Sequence, residues 1–282
     1  TAQPSVVLGS PDITPQPSQP DASASPSAEP SASPQGTTIV RAYFFLAGPT
    51  GSAGVVPVLR EIPATTGVTK AAMTALLAGP NSREAAATPA ISTTVPAGTQ
   101  LLGLTITNGV ATVDLSREFE SGGGSASVLG RLAQVVYTLT QFPSVKSVLF
   151  EVEGREVHAF GGEGAVLDGP VGRSDYASVL PNIFVDRPAW GAALGNPGRV
   201  TGNADVFEAT FRITLLDGNG KQLVDQQAMA TCGTGCRGTF DVTIHYDVSK
   251  AQYGTLRVWD GSAKDGSPQD VREYPVWLTP AS

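Results

Sequence analysis

Few side chains in this sequence are of types that do chemistry, and their spacing limits what each can do. Cys232 and Cys236 stand in TCGTGC with three residues between them. That is not the C-x-x-C spacing of redox or zinc motifs. His158 and His245 are the only histidines and there is no second cysteine pair, so a zinc site would lack ligands. Gly233 and Gly235 let the loop bend enough for a Cys232–Cys236 disulfide, with two unpaired thiols as the other reading. A disulfide would imply an oxidising, extracytoplasmic site. So small a loop would pin a hairpin end and would not hold the fold.

The carboxylates Asp114, Glu118 and Glu120 cluster after a turn. Paired carboxylates ~5 to 10 Å apart can do acid–base work on glycosidic bonds, but the same residues serve equally as a cap and a sheet-edge turn. Ser125 follows Gly122-Gly123-Gly124 at the start of an amphipathic run. Free N–H groups there could cradle an anion, with a flexible entry loop as the alternative. The order is neither G-x-S-x-G nor a dinucleotide fingerprint. His158 and His245 lie in different halves with no acidic partner for a serine-type triad. No catalytic, cofactor-binding or metal-binding residue is assigned. Trp259 and Trp277 sit within β runs and are expected to pack in a core. Trp190, in RPAWGAALGNPG, is on a loop and is the candidate glycan contact.

Composition narrows the classes further. The 282 residues carry a formal charge of −7 with only 15% charged side chains. Such mild acidity argues against a nucleic-acid surface and against electrostatic docking on anionic membranes. No apolar run approaches the ~20 residues needed to span a bilayer. The chain opens on Thr1, which points to a removed leader or a missing N-terminal anchor. Residues 1–37 read as a disordered tether: from Ser10 to Gln35, Ser, Pro and Ala dominate and Ile13 is the only large aliphatic residue.

The elements that must position these groups follow from periodicity. TIVRAYFFL from Thr38 and VVPVLREIP from Val55 read as a hairpin, with Pro57 near an edge. TGVTKAAMTALLAGP reads as a helix capped by Thr66 and stopped by Gly79 and Pro80. Residues 81–94 read as a loop with a short helical turn. Asn108-Gly109 between two β runs calls for a two-residue hairpin. In SASVLGRLAQVVYTLTQ, apolar residues at Val128, Leu129, Leu132, Val135, Val136 and Leu139 cover an arc of about 120°, the stripe of a helix lying on a sheet. Ser125 or Ser127 can cap it, and Pro143 ends it. Its opposite face, Arg131, Gln134, Tyr137 and Gln141, is the candidate partner surface. With SVLFEVEGREV following, the layout is β-β-α, β-β-α, β-β, an α+β two-layer sandwich. Beyond a linker and seam at 163–180, seven short β runs in about 100 residues suggest an immunoglobulin-like sandwich. One of them spans residues 206–217, with Phe207, Ala209, Phe211, Ile213 and Leu215 alternating inward.

LLAGP (76–80), VDLSREF (113–119), GGGS (122–125) and YTLTQFPSVKSVLF (137–150) together resemble the GerMN domain of sporulation and spore-germination proteins. The likeness covers about residues 38–162. PGRVTG (197–202), NADVFEAT, LLDGNG, GTFDV and a late DGS resemble the immunoglobulin-like domain of bacterial spore germination, over about residues 180–279 of a second domain at 181–282; CGTGC departs from that pattern. These resemblances imply a fold similar to the ring-building motif, followed by a β-sandwich. They also imply an extracytoplasmic setting without an established catalytic activity. The expectation is a non-enzymatic envelope protein, tethered as a lipoprotein, that contacts envelope proteins or itself. A cell-wall glycan-binding module using loops of the sandwich is the alternative. No cofactor and no nucleic acid are expected.

Overall fold

TTIVRAYFFLA is dense in β-branched and aromatic residues, and it forms β1 (Thr37–Ala47). The structure, a computed structural model, describes residues 36–48, 53–160, 165–233 and 235–281. The expected tether lies outside them except for residues 36 and 37. β1 pairs along its whole length with β2 (Ala53–Pro63), Tyr43 opposite Pro57. Proline has no N–H to give to a ladder, and β2 is the edge of a sheet ordered β2-β1-β3, where β3 is Ile91–Ser92. α1 (Val68–Leu77) begins at Gly67 without a side-chain cap, so the expected Thr66 cap is not used. α2 (Ser82–Ala85) has a full capping box from Asn81 and Glu84.

β4 (Leu101–Thr107) and β5 (Val110–Leu115) meet through Asn108 and Gly109, at φ 52° and 83°. Two successive positive φ values make the mirror-image turn that matches strand twist, which is why Asn-Gly stands there. β5 runs parallel to β6 (Ser147–Val152), so a crossover is required, and α3 (Ser125–Leu139) supplies it. β7 (Arg155–Glu156) completes a sheet ordered β4-β5-β6-β7. α3 packs against β1 and β6, with Leu132, Val135, Val136 and Leu139 fully buried. Gly130 permits the close approach: a Cβ there would lie 2.8 Å from Thr94 Oγ1 and 3.0 Å from the Phe45 ring. The first domain is thus an α+β layered sandwich.

The second domain is an all-β sandwich of immunoglobulin type. β8 (Ile183–Arg187), β10 (Gly198–Ala204) and β13 (Gly238–Ile244) form one sheet, ordered β13-β10-β8, and β9 (Ala193–Leu194) precedes β10. β11 (Thr210–Leu216), β12 (Gln222–Met229), β14 (Gln252–Gly261) and β15 (Pro268–Leu278) join β9 in the other, ordered β12-β11-β14-β15-β9. Alternate residues fill the space between the sheets, and the Phe211 and Phe240 rings meet there at 4.8 Å.

Two expectations fail here. The run 206–217 is not one strand: Glu208 and Ala209 take φ 55° and 60°, which breaks the alternation, so β11 starts at Thr210 and Phe207 is left 59% exposed. Trp259 and Trp277 are not core residues. The buried set on their strands is Leu256, Val258, Tyr274, Val276 and Leu278, so the two indoles lie half-buried on the outer face.

Residues 165–180 pack back on the first domain. Val148 and Val171 exchange backbone hydrogen bonds, and the 3-10 stretch Arg173–Val179 lies against α3 with Tyr176 buried. One apolar core runs through both domains, so the described residues form one compact unit.

Candidate functional site

The domains are joined by a polar latch over α3. Tyr43 of β1 donates its hydroxyl to Asp186 Oδ1 of β8 at 3.0 Å, and Arg41 stands 3.6 Å from the same carboxylate. The Arg173 guanidinium lies over the Tyr43 and Tyr137 rings at 5.5 and 4.9 Å and donates to Thr140 Oγ1 at 2.8 Å. Tyr137 packs on Phe184 of the second domain. Burial, and next the Asp186 charge, push the Tyr43 hydroxyl up to about 12.

Beside this latch the domains enclose a cleft of about 470 Å³. One wall is Val58 and Leu59 of β2, with Arg83, Glu84 and Pro89 from α2 and the chain after it; the other is Trp190, Tyr253, Thr255, Glu273 and Pro275 of the second domain. Trp190 is fixed in place because its backbone N–H donates to the Pro57 carbonyl at 2.9 Å and forms a short parallel bridge with β2. This is the edge position that proline leaves open to one partner. Trp190 is therefore a half-buried part of the seam that also lines the cleft, not a freely exposed loop tip.

Each charged group of the cleft is engaged by a neighbour. Glu84, 4% exposed, accepts from both terminal nitrogens of Arg60 at 2.7 and 2.6 Å and from Asn81. Glu273 pairs with Arg257 at 2.6 Å, and Arg83 lies over the Tyr253 ring at 4.9 Å. Groups held this way shape a surface. None of them is poised as a nucleophile or base.

The candidate partner surface on α3 is overturned. Arg131, Gln134 and Tyr137 are 1%, 0% and 2% exposed, and Gln141 is half-buried. Gln134 receives the Thr94 backbone N–H at 2.9 Å and donates to the Tyr43 carbonyl at 2.8 Å. Gln141 accepts from the Arg41 N–H at 2.8 Å and donates to its carbonyl at 2.7 Å. These amides extend the β1 edge into the helix. Tyr137 lies under the second domain, and Arg131 under its own entry loop. The face is polar because it satisfies backbone groups, not because water reaches it. The sequence did carry a sign: Arg131 is the only charged residue of the helix, whereas a solvated face would hold several.

Arg131 also explains the three glycines. Gly122 and Gly123 take φ 62° and 79°, which wraps the chain so that carbonyls point inward. Arg131 Nη1 donates to the Phe119 and Ser121 carbonyls at 2.6 and 3.0 Å, and Nη2 to that of Gly122 at 2.6 Å. An inward ring of carbonyls around a cation is the reverse of an anion cradle. α3 starts at Ser125 with Gly124 as N-cap and no side-chain cap, so neither Ser125 nor Ser127 serves as expected; Ser127 Oγ faces Arg131.

The acidic trio is dispersed by role. Asp114 accepts the Gly154 N–H at 3.0 Å, and the Ser116 hydroxyl holds the partly exposed Glu118 carboxyl below its usual value. His158 and His245 are both exposed, one in each domain. Among the described residues, no group of three His, Cys, Asp or Glu could hold a metal ion, and no helix is long and apolar enough to cross a membrane. Cys232 and Cys236 are joined, Cα atoms 5.8 Å apart, in the loop between β12 and β13. The cleft residues Leu59, Arg83 and Tyr253 had no signal in the sequence, since they come from three distant segments.

Residues 41–158 match the family model described as "Sporulation and spore germination", and residues 182–267 the one described as "Immunoglobulin-like domain of bacterial spore germination". No curated protein matches the chain. Among solved structures, the tandem GerMN domains of the sporulation protein GerM from Bacillus subtilis are 18% identical, with 74% of this chain and 62% of that chain covered and a TM-score of 0.39. The first GerMN domain of the same protein is 21% identical over 48% of this chain and 99% of that one, TM-score 0.37. A chain from Clostridium perfringens described as "Putative Lipoprotein" is 20% identical over 51% of this chain and 93% of that one, TM-score 0.36. The chain thus carries a GerMN-like domain of the sporulation and spore germination type, followed by the immunoglobulin-like domain of bacterial spore germination.

Proposed function

We propose that this protein is a non-enzymatic, extracytoplasmic module of the bacterial envelope, tethered through its N-terminal side, that works by docking a protein partner in the cleft between its two domains. The observation that carries this reading is the latch. Tyr43, Arg173 and Asp186 weld the domains together, so the cleft walls are held in one arrangement. A preformed site loses little ordering entropy on binding. Its lining mixes apolar surface from Val58, Leu59, Pro89 and Pro275 with a few fixed polar groups, the composition of a binding site. The disulfide supports an oxidising compartment, and the germination-type domain pair supports an envelope setting.

A photo-reactive residue at Leu59 tests this in the native host. The expected result is a discrete adduct with an envelope protein or a second copy, reduced by Trp190→Ala and absent when the probe is placed at exposed Lys250. An adduct pattern identical at both positions, or none at Leu59, would refute the docking role. Light scattering of the purified protein separates self-association from a different partner.

A further inference from the structure

A second cleft, of about 740 Å³, opens on the outer face of the five-stranded sheet. Strand register builds its base. Gln227, Arg212 and Trp259 stand opposite one another on β12, β11 and β14, so they form one row across three strands. The Trp259 indole N–H donates to Thr214 Oγ1 at 3.2 Å, which leans the ring towards β11. Arg212 lies 5.7 Å from the centre of that ring and grips Asp225 with two nitrogens, at 2.9 and 2.6 Å. An aromatic ring, a guanidinium, a carboxylate and an amide are thus set side by side, each a planar group.

One wall is built on a strained turn. Glu208 and Ala209 are successive non-glycine residues in the left-handed region, at φ 55° and 60°. Each such residue costs on the order of 1 kcal/mol or more, and such strain collects at functional positions. The surrounding structure enforces it. Ala209 N–H donates to the Val206 carbonyl at 3.1 Å, Ala230 N–H to the Ala209 carbonyl at 2.9 Å, and Gly233 lies so close that a Cβ there would be 2.2 Å from Ala209 N. Gly233 sits inside the Cys232–Cys236 loop, so the disulfide braces this turn. The effect of the strain is to hold Phe207 59% exposed on the cleft wall. The β14–β15 hairpin, with Gly261, Ala263 and Gly266, forms the other side.

We propose that this cleft binds a saccharide, with a pyranose ring laid against Trp259 and Phe207 and its hydroxyls held by Asp225, Arg212 and Gln227. A pyranose has an apolar C–H face, which gains from leaving water against an aromatic ring. It has hydroxyls around its rim, which suit planar groups offering paired donors and acceptors. Charge excludes the main competitors. Arg212 is already paired with Asp225, and the Asp260 carboxyl also lines the cleft, which disfavours phosphates and other anions. The polar row disfavours a purely apolar occupant, which would leave those groups unpaired. This site is independent of the interdomain cleft, with which it shares no lining residue.

The variant Trp190→Phe with Trp277→Phe leaves Trp259 as the only indole and makes its fluorescence the reporter. It is titrated with chitohexaose and with cellohexaose, and the native protein is tested for retention on purified peptidoglycan. The expected result is a saturable change with at least one saccharide, weakened about tenfold by Phe207→Ala and by Asp225→Asn, the size of one well-formed contact. Leu59→Ser leaves it unchanged, which keeps this site separate from the protein-docking cleft. Response to chitohexaose together with peptidoglycan retention assigns an amino-sugar polymer, and response to cellohexaose alone assigns a neutral glucan; either supports the proposal. No saturable change with both saccharides and no retention overturns it. So does binding that Phe207→Ala does not alter, since that exposed side chain can be removed without disturbing the core.

Discussion

Arg131→Met tests the most counter-intuitive feature of the molecule, a fully buried cation in the middle of a domain core. Methionine keeps an unbranched apolar stem of similar length and removes the guanidinium. Three carbonyls then lose their donor, those of Phe119, Ser121 and Gly122. Phe119 is itself buried, so its carbonyl would be orphaned at a cost of about 1–3 kcal/mol; Ser121 and Gly122 are exposed, and their carbonyls can turn to water for about 1 kcal/mol together. Burial lowers the Arg131 pKa, yet an arginine stays charged throughout the working range, so some desolvation cost is recovered in the variant. The net expectation is a loss of about 3 kcal/mol in urea unfolding. Arg131→Lys should recover only part of it, because one ammonium cannot span carbonyls that a planar fork reaches with two nitrogens. Hydrogen exchange should rise at residues 119–124 before it rises in β5 or β6. A loss under about 1 kcal/mol, or unchanged exchange in the glycine loop, would refute the view that Arg131 holds this connection in place.

Three further outcomes are expected. Tyr43, with its hydroxyl pushed to about 12, stays protonated in the folded state while an unfolded tyrosine ionises near pH 10; its contribution to stability is full below pH 10 and is lost as pH rises towards 12, so Tyr43→Phe should flatten the alkaline limb of a Tm-against-pH curve. Burial, with Asp270 adding its charge, raises the Asp260 pKa in the folded state, so ionisation opposes folding above the ordinary carboxylate value; Asp260→Asn should raise Tm at pH 7, with the advantage shrinking as the pH falls towards the ordinary carboxylate value and gone below it, and a variant less stable at pH 7 would contradict this. Joint replacement of Cys232 and Cys236 by serine should cost no more than about 2 kcal/mol in urea unfolding, given a five-residue loop, and should raise hydrogen exchange at residues 206–210 more than in β13.

Local rules made much of this fold legible. Asn108-Gly109 encodes its hairpin through two positive φ values, Pro57 marks an edge strand, and Gly79 stops α1, because each effect is confined to a few neighbouring residues. The run 206–217 misled for the same reason. Its alternation is good, but Glu208 and Ala209 are held out of β geometry by Gly233 and Ala230, more than twenty residues away. Trp259 and Trp277 were misplaced because period two says which residues share a face and not which face is the core.

Helix α3 shows where the boundary lies. Its apolar stripe, its glycine entry and its end before Pro143 follow from the chain alone, and so do two domains in a recognisable order. What lies over Arg131, Gln134, Tyr137 and Gln141 does not. A polar face is written the same way whether water, a backbone edge or another domain satisfies it. Only the tertiary structure, by laying β1, the 165–180 segment and the second domain over that face, turned an expected docking surface into the interior. Tertiary packing likewise built the two clefts from residues that the chain keeps apart.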